Sequence, residues 1–198
     1  MALRGLRLHT LEPRERLEIQ MREDLKDILF TEEAINAKVR ELAQQITKDY
    51  AGTTPFIIGI LNGAFIFLAD LVRQMDLACE IKFMSASSYG SSSVTSGEVS
   101  LNKGLGFDPG GRDVIIVEDI LDTGTTLKAI CEDILACKPK SLKLCCLLDK
   151  PSRRKVPMDA DYLGFQCPDE FLVGYGLDYA GRYRNIPFIA SLKPEIYT

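Results

Sequence analysis

The sequence predicts an α/β domain in which a central parallel sheet is flanked by helices. Three observations lead there. Short apolar runs alternate with segments of helical periodicity through the middle of the chain. The run Val114-Ile115-Ile116-Val117 is β-branched throughout and has no polar face, as expected of a strand buried on both sides. It leads through two acids and a Gly/Thr-rich turn into a further helical segment. With 198 residues, 46% of them hydrophobic and 26% charged, the chain suits one packed domain with small appended parts.

Residues 1–24 are charged, contain Pro13, and read as an N-terminal extension, either a short surface helix or an unpacked segment. Thr31 can cap a helix whose positive end Glu32 and Glu33 favour. Ile35, Val39, Leu42 and Ile46 then recur at helical spacing up to Tyr50-Ala51-Gly52. Pro55 opens a buried strand over 56–61, which Asn62-Gly63 breaks before a helix over 64–75. Residues 79–87 alternate as a second strand. The Ser- and Gly-rich stretch that begins at Tyr89 has the composition of a mobile loop. Asp108-Pro109-Gly110-Gly111 is a turn into the strand 114–117, and a helix follows over 125–138. A strand is expected over 142–148, with shorter ones over 162–165, 172–176 and 188–192. The strand-rich end, mainly 160–198, is expected to form a hood, alone or together with the leader, on the single domain 25–198.

Charge and cysteine content narrow the function classes. A net charge of −4 is a poor basis for binding nucleic acid, which needs a basic face. No apolar run approaches the roughly 18 residues of a membrane span, and the Arg-, Leu- and Glu-rich start lacks the apolar region of a secretory signal. Cys79, Cys131, Cys137, Cys145, Cys146 and Cys167 form no C-x-x-C pair and read as reduced core residues of a cytoplasmic protein. His9, the one histidine, has no partners for a zinc site.

The chemistry concentrates in Glu118-Asp119-Ile120-Leu121-Asp122-Thr123-Gly124-Thr125-Thr126. The first N–H groups of a helix are unsatisfied and lie at its positive end, so an anion fits there. Gly124 permits close backbone approach, and Thr123, Thr125 and Thr126 add hydroxyl donors, which together suit a phosphate monoester. Vicinal carboxylates at the carboxyl end of a buried strand suit sugar hydroxyls or hydrated Mg²⁺. The string is neither a Walker A loop nor a dinucleotide-binding turn.

This string resembles the loop with which type I phosphoribosyltransferases bind phosphoribosyl diphosphate (PRPP), and its Glu-Asp-Ile-x-Asp-Thr-Gly form is closest to the hypoxanthine-guanine branch. The resemblance extends over roughly residues 25–197 and implies a type I phosphoribosyltransferase-like core with a hood and a flexible flap. It implies diphosphate binding by Leu61, Asn62, Gly63 and Arg184. Some members have lysine where this chain has Asn62, and the Leu61–Asn62 peptide is commonly cis in the family. Ser88 and Tyr89 match the base of the flap, expected over 89–104. Lys150, Phe171, Leu172 and Asp178 match purine-binding positions, with Lys150 directed at the 6-oxo group. Glu118, Asp119 and Asp178 match metal-associated carboxylates for Mg²⁺, and Asp122 the group that handles the purine proton.

The implied reaction transfers phosphoribose from PRPP to hypoxanthine or guanine, giving IMP or GMP and diphosphate, in a homodimer or homotetramer. Open alternatives are a xanthine-preferring, adenine- or orotate-specific enzyme and a PRPP-sensing, nucleic-acid-binding regulator of the same fold.

Overall fold

Side chains alternate along a strand, and that alternation layers this chain. The computed structural model describes residues 23–85 and 106–198; the expected flap, with Ser88 and Tyr89, and nearly all of the leader lie outside the described residues. The order of elements is β1 (Leu25–Phe30), α1 (Glu32–Asp49), β2 (Phe56–Leu61), α2 (Phe65–Gln74), β3 (Glu80–Ser85), β4 (Asp113–Leu121), α3 (Thr125–Ala136), β5 (Ser141–Asp149), β6 (Tyr162–Gln166), β7 (Leu172–Val173), β8 (Ile189–Leu192) and α4 (Pro194–Tyr197). Ile57, Ile115, Val117, Cys145 and Leu147 pack with Ile35, Val39 and Ile46 of α1 and Phe67 and Leu71 of α2. Their neighbours Phe56, Ile58, Val114, Ile116, Leu144 and Cys146 pack with Leu127, Ile130 and Ile134 of α3. Each such enclosed Leu, Ile or Phe contributes roughly 1.5–3 kcal/mol of transfer free energy.

The core sheet is parallel, in the order β3-β2-β4-β5-β6. Helix α2 carries the chain from β2 outward to β3, and α3 carries it from β4 outward to β5, on the opposite side. Connections therefore leave β2 and β4 in opposite directions, and ligand crevices form at the carboxyl ends of such strands. Here β2 and β4 pair only as far as Gly59 with Val117, while β2 stays with β3 to Leu61 and β4 with β5 to Leu121. Glu118 and Asp119 lie where the two strands part.

Several expected boundaries shift. Strand β4 runs to Leu121, not Val117, because its second half keeps pairing with β5; the two acids are strand residues. Helix α3 ends at Ala136, short of 138, where Lys138 takes a positive φ of 56°. The strand expected over 172–176 stops at Val173, since Gly174 and Gly176, at φ 97° and 102°, turn the chain. Tyr162–Gln166, expected in the hood, instead pairs with β5 at the edge of the core sheet. The hood sheet is antiparallel, in the order β1-β8-β7, around Leu25, Val173, Tyr183, Ile186, Ala190 and Leu192. Strand β1 was not anticipated. Thr31 caps α1 as expected, accepting a hydrogen bond from the Ala34 N–H.

Candidate active site

Three connections converge at the fork between β2 and β4: Asn62-Gly63 after β2, residues 122–126 after β4, and the turn 174–178 of the hood. Gly63 lies directly against the Asp119 carboxylate, and the Gly63 carbonyl lies against Gly176, with no room for a Cβ at either glycine. The peptide between Leu61 and Asn62 is cis. Arg184 donates through Nη1 to the Gly176 carbonyl at 2.5 Å and pairs through Nη2 with Asp178 at 2.7 Å. Tyr175 donates to Asp70 of α2 at 2.7 Å, which ties this turn to the core.

The start of α3 forms one cavity, of about 210 Å³, lined by Glu118, Asp122, Thr123, Gly124 and Thr126 among others. Gly124, at φ 78°, is the N-cap and offers no side chain to the first-turn N–H groups, which leaves donors at the helix start for an anion. Thr125 does not line this cavity; its N–H lies 3.4 Å from Thr123 Oγ1.

A second cavity, of about 400 Å³, is lined by Lys150, Phe171, Leu172 and Asp178, and shares Ile120 and Asp122 with the first. Lys150 is only 6% exposed and donates to the Glu170 carbonyl at 2.8 Å, which uses one of its three protons. The Phe171 ring, 37% exposed, stacks on Tyr197 at 5.1 Å and meets Tyr179 edge-on. Its open side gives a flat apolar surface. Leu61, Asn62 and Arg184 line neither cavity.

The paired acids are electrostatically unusual. Burial, then the Asp119 charge, pushes the Glu118 carboxyl well above its ordinary range. Asp119, 8% exposed, is also raised by burial, against hydrogen bonds from Glu118 and the Ile120 N–H and the charge of Arg184. Glu118 Oε2 is shielded from solvent and has no hydrogen-bond partner. Two crowded carboxylates with an unsatisfied oxygen fit a hard divalent cation. Among the described residues no three of His, Cys, Asp and Glu converge to hold a metal by themselves. Mg²⁺ takes one or two carboxylates with substrate phosphates and water, so the donor set fits that ion.

Other residues of the site were not anticipated. Arg153 lies 3.2 Å from Asp122 Oδ1 and 3.5 Å from Asp169 at the second cavity. Arg154 lies against the segment that follows β4 and donates to the Leu121 and Asp122 carbonyls. Tyr179 and Tyr197 flank Phe171. In sequence these are a basic run after a proline and ordinary tyrosines, with no signal beyond charge.

Among the described residues no helix is long and apolar enough to cross a membrane, and none of the six cysteines forms a disulfide. A family model described as the phosphoribosyl transferase domain matches residues 26–180. The hypoxanthine-guanine phosphoribosyltransferase of Bacillus subtilis is 50% identical over 177 residues, covering 89% of this chain and 98% of its own. A bifunctional TilS/HprT protein of Listeria innocua is 49% identical over 178 residues; the chain spans 28% of that longer relative. A crystal structure of a hypoxanthine phosphoribosyltransferase from Staphylococcus aureus superposes with a TM-score of 0.81 at 49% identity, covering 90% of this chain and 97% of its own.

Proposed function

The chain belongs to the phosphoribosyl transferase family, and we propose that it is a purine-salvage enzyme that joins hypoxanthine and guanine to the phosphoribosyl group of PRPP, releasing diphosphate. The observation that carries this reading is the pair of cavities that share Ile120 and Asp122. One offers helix N–H donors and threonine hydroxyls, suited to a 5′-phosphate; the other offers a buried lysine and an open aromatic face, suited to a 6-oxopurine. A nucleotide has these two ends.

Glu118 and Asp119, with Asp178 for a second ion, would hold Mg²⁺, which when bound neutralises the diphosphate of PRPP. Charge develops on the departing diphosphate as the sugar becomes cationic, so donors fixed beforehand on that side lower the barrier. Arg184, held in place by Asp178 and the Gly176 carbonyl, is assigned to it, with the backbone of Leu61, Asn62 and Gly63. On the base, Lys150 can donate to an oxo group but cannot accept from an amino group, which selects hypoxanthine and guanine over adenine. Phe171 and Leu172 cover the purine ring. Asp122, at the boundary of the two cavities, is assigned the proton that leaves the purine imidazole as the glycosidic bond forms. A cytoplasmic homodimer or homotetramer completes the proposal.

The test is direct. Purified protein with PRPP, Mg²⁺ and hypoxanthine should form IMP and diphosphate in equal amounts, identified by mass. Hydrolysis of PRPP without IMP would overturn the reading.

A further inference from the structure

The chain after β5 doubles back beneath the loop that follows β4. The Lys150 N–H donates to the Leu121 carbonyl at 3.0 Å, and the Lys155 N–H to the Thr123 carbonyl at 3.0 Å. Between them lies Arg154, whose side chain is only 15% exposed. Its Nη1 donates to the Leu121 carbonyl at 3.0 Å and to the Asp122 carbonyl. Nη2 pairs with Asp149, and Nε donates to the Met158 carbonyl at 3.1 Å. Its stem lies 3.4 Å from where a Cβ on Gly124 would stand.

These contacts fall on both halves of the site. Leu121 and Asp122 lead into the phosphate cavity. Asp149 immediately precedes Lys150 of the base cavity, and Asp122 borders both. One planar guanidinium thus binds the end of β4, the first loop residue and the end of β5. Lysine could not reproduce this, because its three donors radiate from one atom where arginine offers five in a rigid fork.

We infer that Arg154 is a positioning residue that sets the spacing between the 5′-phosphate cavity and the purine cavity, so that one nucleotide can fill both at once. The inference rests on the proposed function. Arg154 meets neither cavity as a lining residue, and its effect on a ligand passes through the backbone of Leu121 and Asp122 and through Lys150. A misplacement of about 1 Å can cost roughly 10²-fold in rate where geometry must be exact. By the same geometric demand, a spacing error weakens a ligand that must fill both cavities more than one that fills either alone.

The experiment measures dissociation constants of GMP, guanosine and ribose 5-phosphate by calorimetry for the wild type, Arg154→Lys and Arg154→Gln. The expected result is a loss of GMP affinity of about tenfold or more in both variants, with each fragment within about threefold of wild type. Circular dichroism and thermal melting check that the variants fold. Should Arg154→Gln not fold, Asp149→Asn, which weakens the anchor but keeps the guanidinium, carries the same expectation. Equal weakening of all three ligands would make Arg154 a general structural residue and overturn the inference, as would unchanged GMP affinity. A wild-type protein that does not bind GMP would bring down the functional reading and this inference with it; intact wild-type binding with unaltered variants brings down the inference alone.

Discussion

Gly63 and Asp119 touch so closely that a Cβ on Gly63 would stand 1.5 Å from Asp119 Oδ2. The loop after β2 is thereby seated on the acid pair of β4, across the place where the two strands stop pairing. Gly63→Ala must push the carboxylate or the loop aside, and overpacking of this kind costs about 1–3 kcal/mol. The expected outcome is a fall in PRPP affinity, measured with Mg²⁺ present, of about tenfold or more. Wild-type affinity in this variant would mean that the contact does not shape the diphosphate site.

Lys150 is buried at the second cavity with its ammonium on the Glu170 carbonyl. Lys150→Met keeps the stem and removes the donor. Losing a charge-assisted bond to the 6-oxo group should lower kcat/KM for hypoxanthine roughly 10²-fold, with KM for PRPP changed only a few-fold. Steady-state kinetics with each substrate varied in turn separates these effects. A change confined to PRPP would move Lys150 out of the base site.

Asp122 Oδ1 is shielded from solvent and makes no hydrogen bond, and it forms an ion pair with Arg153 Nε at 3.2 Å. Asp122→Asn preserves shape and removes charge, so PRPP binding should hold or tighten slightly while turnover falls about 10²–10⁴-fold. Calorimetry and kcat on the same variant decide. Surviving turnover with lost PRPP affinity would make Asp122 a structural loop residue.

Glu118 gives a pH prediction whose sign follows from its environment. Its carboxyl is raised in the folded state, so the stability it contributes is fully present below its ordinary value of 4.5 and is lost as pH rises through the folded value. Glu118→Gln removes that ionisation cost. The ligand-free variant should therefore melt higher than wild type at neutral pH, with the difference shrinking on acidification toward 4.5. Thermal melts from pH 5 to 8, at intervals of about one unit, measure it. A variant less stable than wild type at neutral pH would contradict the assignment.

Local signals account for what could be read in advance. The run Val114-Ile115-Ile116-Val117, the acids after it and Gly124 at the start of α3 are contiguous, so strand, site and helix could be recognised together. Lys150, Phe171, Asp178 and Arg184 could be named only through resemblance, because a single residue after a strand has no local pattern. Strand β1 stayed hidden because Leu25–Phe30 is defined by pairing with β8, near the other end of the chain. Arg154 stayed hidden because its acceptors are mainly backbone carbonyls, which leave no trace in sequence. In Arg153-Arg154 the first side chain is half exposed and the second nearly enclosed, a difference that only the fold produces.

The measurement that tests the central claim most directly is a base panel. Hypoxanthine, guanine, xanthine and adenine are each supplied with PRPP and Mg²⁺, and nucleotide and diphosphate are quantified for kcat/KM. The buried Lys150 of the second cavity, assigned to the purine, predicts that hypoxanthine and guanine are both converted and that adenine is not. Conversion of adenine at a rate comparable to hypoxanthine would contradict the assignment of Lys150 and, with it, the reading of this cavity as a 6-oxopurine site.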